Sequence, residues 1–170
     1  EHIKQPAVFI GNSVGALISL TIAVEHPEIT TGAVLINAAG GLSHRSDELN
    51  PVLGFVMGTF NKLVSHPITG KFVFNNIRRK SQIKRTLYQV YRDRNAVTDE
   101  LVNMLYEPSC DQGAQQEFAS ILTAPPGTSP DVLLPKLARP LLVIWGADDP
   151  WTPIGGAKVY ERAKDNGKDI

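Results

Sequence analysis

The stretch from Ala7 to Val24 holds eighteen residues without a charge, and the turn Gly11-Asn12-Ser13-Val14-Gly15 sits in its middle. No other feature constrains the fold as much. A charge-free run of this length would suit a membrane span. Two glycines, an asparagine and a serine at its centre argue against one. Ala7-Val8-Phe9-Ile10 reads instead as a buried strand, being short, apolar and rich in β-formers. Ala16 to Val24 is too long and too uniformly apolar for another strand. It reads as a helix buried on most sides, ending near His26-Pro27. Gly32-Ala33-Val34-Leu35-Ile36-Asn37 is a second buried strand. Strand, helix and strand make one βαβ unit, which implies parallel neighbours.

After Ala38-Ala39-Gly40-Gly41 the pattern changes. Residues 42 to about 125 hold no convincing strand, and helices are predicted at roughly 51–65, 69–77, 80–94, 97–107 and 112–123. Pro125-Pro126-Gly127 closes that region. Leu141-Leu142-Val143-Ile144-Trp145 is a third buried strand, followed by the loop Gly146-Ala147-Asp148-Asp149-Pro150 and a helix from Ile154 to about Lys164. The predicted organisation is an α/β core from residues 1–41 and 126–170, with a helical cap or lid insert at 42–125. Three strands are few for an open parallel sheet. The chain is therefore expected to be part of a larger domain, with further strands ahead of Glu1. It shows no signal peptide and no initiator Met.

The elbow has a specific chemistry. Following a buried strand and opening a buried helix, Gly-x-Ser-x-Gly fits the setting of a nucleophile elbow. The chain must reverse within about four residues, which puts Ser13 in a strained conformation. Gly11 and Gly15 lack side chains, so strand and helix can approach closely. The Ser13 hydroxyl then points off the carboxyl ends of the strands, where open α/β folds bind ligands. The Val14 N–H lies at a helix N-terminus and can donate to a developing oxyanion. The bland alternative is a helix-capping serine beside packing glycines.

A serine hydroxyl needs a base, usually a histidine oriented by a carboxylate. Asp148 and Asp149 directly follow the third strand, at the sheet edge that Ser13 occupies. They supply a candidate acid, or they only shape a turn before Pro150. No histidine follows them. His2 precedes the first strand, His26 ends the elbow helix, and His44 and His66 fall in the insert. A structural role is the better reading for each. The base is expected beyond Ile170, and the second oxyanion donor before Glu1.

Several stretches carry a family resemblance. The elbow, the helical insert and Trp145-Gly146-Ala147-Asp148-Asp149 resemble the α/β-hydrolase superfamily over nearly the whole chain. Within it, Gly11–Leu17, Leu35–Gly41, Val90-Tyr91-Arg92-Asp93, Ser120–Gly127 and Asp149-Pro150-Trp151 are similar to the chlorophyll dephytylase and pheophytinase branch. Those are plastid and cyanobacterial esterases that remove the phytyl chain from chlorophyll or its derivatives. The resemblance implies an α/β-hydrolase fold with a mostly parallel sheet and a helical cap. It makes Asp149 the acid, with Asp148 facing solvent or capping the loop. It implies a carboxylic ester substrate with a large hydrophobic moiety, and a chloroplast or cyanobacterial setting, otherwise the cytoplasm. No metal or redox cofactor is implied.

A phytyl ester needs a long apolar pocket. The insert offers Leu53, Phe55, Val56, Met57, Phe60, Leu63, Val64, Ile68, Phe72, Val73 and Phe74, though packing within the fold explains most such residues. The chain carries 17 Lys+Arg against 17 Asp+Glu, so no nucleic-acid partner is expected. Locally, Lys71 to Arg94 holds eight basic residues and only Asp93 as an acid. Arg78, Arg79, Lys80, Lys84 and Arg85 form either a solvated helix face or a surface for an anionic membrane. Cys110, the only cysteine, excludes an intrachain disulfide. Two rival functions share the pattern: a carbon–carbon bond hydrolase of ring-cleavage products, and a catalytically silent binding protein. Epoxide hydrolases and haloalkane dehalogenases use a carboxylate where Ser13 stands, which disfavours them.

Overall fold

The first strand, β1 (Ala7–Asn12), runs into α1 (Val14–Glu25) with Ser13 between them, and β2 (Thr30–Ile36) follows. This is a computed structural model, which describes residues 5–40, 66–123 and 127–170. β3 (Leu141–Ile144) completes a parallel sheet in the order β1-β2-β3. Ile10 pairs with Val34 and Val34 with Leu142, so the carboxyl ends of all three strands share one edge. The predicted βαβ unit is present, and β1 extends two residues further, through Asn12.

The chain divides into two compact units, Glu1–Glu48 with Pro126–Ile170, and Leu49–Pro125. In the first, α1 lies on β1 and β2. Ala16, Leu20 and Ala23 recur at helical spacing and are buried against Ala33 and Leu35. The same cluster takes in Leu133, Leu134, Leu137, Leu141 and Tyr160. Tyr160 comes from α7 (Lys158–Asp165), while α6 (Pro130–Leu133) is a short helix that the sequence pattern did not predict. α1 is buried or half-buried on most sides, as expected, and is exposed only at Val14, Ile18 and Glu25.

Among the described residues the opposite sheet face is uncovered. Val8, Ile10, Leu142 and Ile144 are all exposed there. Alternation along each strand places them together, away from α1.

The described part of the second unit is helical. It contains α2 (Pro67–Ile77), α3 (Lys80–Val90), α4 (Asp99–Tyr106) and α5 (Ala114–Thr123). The helix expected at 51–65 lies outside the described residues. α3 stops at Val90 rather than near 94. Tyr91 is extended, and Asp93 accepts from the Asn95 N–H to open a short 3-10 turn. Such a side-chain bond offers the backbone an alternative to helix. Thr98 then caps α4 by accepting from the Leu101 N–H, with Asp99 and Glu100 in the first turn. Phe74 on α2 meets Phe118 on α5 with ring centres 5.4 Å apart.

Candidate active site

Ser13 adopts φ 54° and ψ −119°. A non-glycine residue at positive φ is uncommon and strained, and it persists only where its surroundings enforce it. The enforcing bonds are visible. The Ser13 N–H donates to the Ile36 carbonyl (3.0 Å), and the Ser13 carbonyl accepts from the Ala39 N–H (3.0 Å) and the Ala16 N–H (3.1 Å). A capping serine would instead sit in the β region with its hydroxyl accepting a helix amide. Ser13 makes no such side-chain bond. The Val14 N–H opens α1, so it has no intrahelical acceptor. No described residue accepts from it.

The two glycines turn out to differ. A Cβ on Gly11 would stand 2.1 Å from the Gly15 carbonyl oxygen and 2.6 Å from the Ala16 nitrogen. Among the described residues, a Cβ on Gly15 would meet nothing within 4 Å. Close approach at the bend therefore depends on Gly11, and the expectation of a matching demand at Gly15 is corrected. Asn12 sits on the rim and donates to the Ile36 carbonyl (3.3 Å).

The loop after β3 is organised around Asp149. One carboxylate oxygen accepts from the Trp151 N–H (2.7 Å) and the Thr152 N–H (3.0 Å). The other accepts from the Thr152 hydroxyl (2.7 Å) and from the Asn37 side-chain amide. Trp145 braces the loop by donating its indole N–H to the Thr152 carbonyl (2.7 Å). Gly156 lets that ring lie close, since a Cβ there would be 3.1 Å from it. The Thr152 backbone N–H foremost, with the Thr152 hydroxyl, the Trp151 N–H and Asn37, holds the Asp149 carboxyl down to about 2 against partial burial. Asp148 is exposed.

That depressed value predicts an acid dependence. The unfolded chain binds a proton on this carboxyl near pH 4, and the folded chain only near pH 2. The stability it contributes is complete above about pH 4 and is lost as pH falls towards 2. Asp149→Asn should lower the urea midpoint at neutral pH. The gap to the unsubstituted protein should then close between pH 4 and pH 2. A gap constant over that range would contradict the assignment.

Asn37 was not anticipated as part of this site. It follows β2 at φ 46° and joins Asp149 across 112 residues of sequence. An asparagine closing a buried apolar strand was the available signal, because asparagine tolerates the left-handed region.

The structure places two of the histidines. His26 ends α1, at the far end of a twelve-residue helix from Ser13, and its ring nitrogen pairs with Glu28 (3.2 Å). Twelve residues of helix span about 18 Å, too far for proton transfer. His66 caps α2 by accepting from the Ile68 N–H (3.3 Å). His2 and His44 lie outside the described residues, as do Leu53, Phe55, Val56, Met57, Phe60, Leu63 and Val64. Of the remaining apolar insert positions, Phe74 is buried, Val73 is partly buried, and Ile68 and Phe72 are each 76% exposed. Among the described residues no three His, Cys, Asp or Glu gather into a metal-binding group.

The fold and this strand–serine–helix turn belong to the α/β hydrolases. The chain is a member of the serine aminopeptidase S33 family of hydrolases, whose model matches residues 1–170. It is 28% identical over 169 residues to the chloroplastic pheophytinase of Arabidopsis thaliana, covering 94% of this chain and 35% of that protein. It is 28% identical over 158 residues to a 2-hydroxymuconate semialdehyde hydrolase of Pseudomonas sp. (strain CF600), covering 88% of this chain and 48% of the other. The chain thus spans about half, or less, of the length of these curated relatives. Its fold matches a meta-cleavage product hydrolase from Pseudomonas fluorescens IP01 with TM-score 0.62 and 21% identity, over 94% of this chain and 53% of that one. A serine hydrolase involved in carbazole degradation matches with TM-score 0.65 and 18% identity, over 96% and 53%.

Proposed function

We propose that the protein is a serine hydrolase that cleaves a carboxylic ester with a large hydrophobic moiety, such as the phytyl ester of chlorophyll or a derivative. The observation that carries this reading is Ser13. It holds a strained backbone whose hydroxyl serves no helix amide, at the sheet edge that also bears Asp149. Ser13 Oγ attacks the ester carbonyl carbon and passes its proton to a histidine outside the described residues. The Val14 N–H donates to the oxyanion. The intermediate collapses, the histidine protonates the departing alcohol, and water then frees the acid from Ser13. Asp149, ionised and clamped, orients the histidine. A pheophytinase-like role would place the protein in a chloroplast or cyanobacterial cell.

The test uses the full-length protein. Turnover of long-chain and phytyl esters should be blocked by an organophosphonate, with the label found on Ser13 by mass spectrometry. Turnover that persists with Ser13 unlabelled would overturn the reading. The ring-cleavage hydrolases among the relatives favour a second reading, carbon–carbon bond hydrolysis with the same nucleophile. A dienoate ring-cleavage product assayed beside the esters separates the two.

The basic face of the insert supports a further proposal, docking on an anionic membrane. Arg79, Lys80 and Arg85 are exposed, whereas Lys84 is tied to Asp99 (2.7 Å) and Arg78 donates to the Ser109 carbonyl (3.0 Å). Among the described residues no helix is long and apolar enough to cross a membrane. Reversing the three exposed charges to Glu should weaken binding to phosphatidylserine vesicles on the order of 100-fold or more, at roughly 1 kcal/mol per charge. Binding indifferent to lipid charge and salt would end the proposal.

A further inference from the structure

The end of β2 lies between the elbow and the acid loop and is bonded to both. On one side, Ile36 accepts from the Ser13 N–H, and the Ala39 N–H donates to the Ser13 carbonyl. On the other, the Asn37 N–H donates to the Ile144 carbonyl (3.0 Å). The Asn37 side chain continues in that direction. Its oxygen accepts from the Gly146 N–H (3.1 Å), and its NH2 donates to Asp149 and to the Thr152 hydroxyl (3.3 Å). The Thr152 hydroxyl is itself a donor to Asp149. Every donor in this ring therefore meets an acceptor.

We propose that Asn37 is a positioning residue, which fixes the Asp149 carboxylate relative to the Ser13 elbow. The proposal rests on the serine-hydrolase reading above. The chemistry at residue 37 is narrow. One face must donate twice, to a carboxylate and a hydroxyl, and the other must accept from a backbone amide. The asparagine amide does this, whereas an ionised aspartate has no donor. The backbone at φ 46° also favours Asn or Gly over other residues.

The experiment is the pH dependence of kcat and KM for the full-length protein, its Asn37→Gly and Asn37→Asp variants, and Ser13→Ala. Asn37→Gly suits the left-handed backbone and removes only the side chain. It should lower kcat on the order of 100-fold, as loss of positioning at a reacting centre does, with KM nearly unchanged. Asn37→Asp preserves shape and adds a titration. While protonated, the new carboxyl can still donate to Asp149. The Asp149 charge raises its pKa, and once it ionises two carboxylates oppose each other. The alkaline limb of kcat should therefore move to lower pH in Asn37→Asp and stay in place in Asn37→Gly. A role confined to folding would lower both variants equally at every pH, and that outcome overturns the proposal. So do profiles matching the unsubstituted protein while Ser13→Ala is inactive. Turnover surviving Ser13→Ala would remove the nucleophile assignment itself, and Asn37 with it.

Discussion

Ser13→Ala in the full-length protein is expected to abolish ester turnover, lowering kcat on the order of 10⁴- to 10⁶-fold, while the fold is left nearly as stable as before. The two halves of this result have separate causes. In the proposed mechanism the hydroxyl is the reacting group, so activity falls to what the oxyanion donor and substrate binding sustain alone. The bonds that enforce the turn all run through the Ser13 backbone, and alanine retains them. Removing a true capping hydroxyl would cost about 1 kcal/mol. Here the hydroxyl caps nothing, and the change in unfolding free energy should stay within about 0.5 kcal/mol. Ser13→Gly sharpens the comparison. It should be equally inactive, yet it relieves the φ of 54°, which costs an alanine as much as a serine. Denaturant unfolding and initial rates on the same samples decide the matter. A variant with kcat within tenfold of the unsubstituted protein would refute the nucleophile, and a cap-sized stability loss would restore the bland alternative.

How much of this site could be read from sequence follows from how local each interaction is. Ser13 was legible because its causes lie within a few residues: a strand before it, a helix after it, a glycine at the bend. Asp149 was legible by position, as a carboxylate just past a buried strand, and a family resemblance chose it over Asp148. Most of the clamp on that carboxylate is local, from Trp151 and Thr152, but its cross-strand part was hidden. That part runs through Asn37, and the contact exists only because β2 and β3 are neighbours in the sheet. No periodicity reports which strand lies beside which. The helical insert shows the same limit in reverse. Its described helices were legible from their periodicity, but the end of α3 was set by the Asp93–Asn95 bond, a competitor that hydrophobic pattern does not register.

Gly11→Ala should have the largest effect on stability, and Gly15→Ala almost none, although the motif presents the two glycines as equivalent. The distances decide this. A Cβ at residue 11 would sit 2.1 Å from the Gly15 carbonyl oxygen and 2.2 Å from its carbon, well inside any van der Waals contact. The atoms in the way are backbone, so no rotamer change clears them. α1 would have to move away from β1, and that movement would break the contact of Ala16 and Leu20 with Ala33 and Leu35. Interiors pack at near-crystalline density and do not absorb such a shift cheaply. A loss of about 4 kcal/mol or more is expected, or failure to give soluble protein. Residue 15 is free of this constraint, because among the described residues a Cβ there meets nothing within 4 Å. It lies in the first turn of α1, where alanine is the better helix former by up to about 1 kcal/mol. Gly15→Ala should therefore match or exceed the unsubstituted protein in thermal midpoint. Parallel melts of the two variants provide the check. Equal destabilisation would mean that the bend is set by both glycines, and tolerance of Gly11→Ala would mean that the elbow does not hold Ser13 in the geometry its proposed chemistry needs.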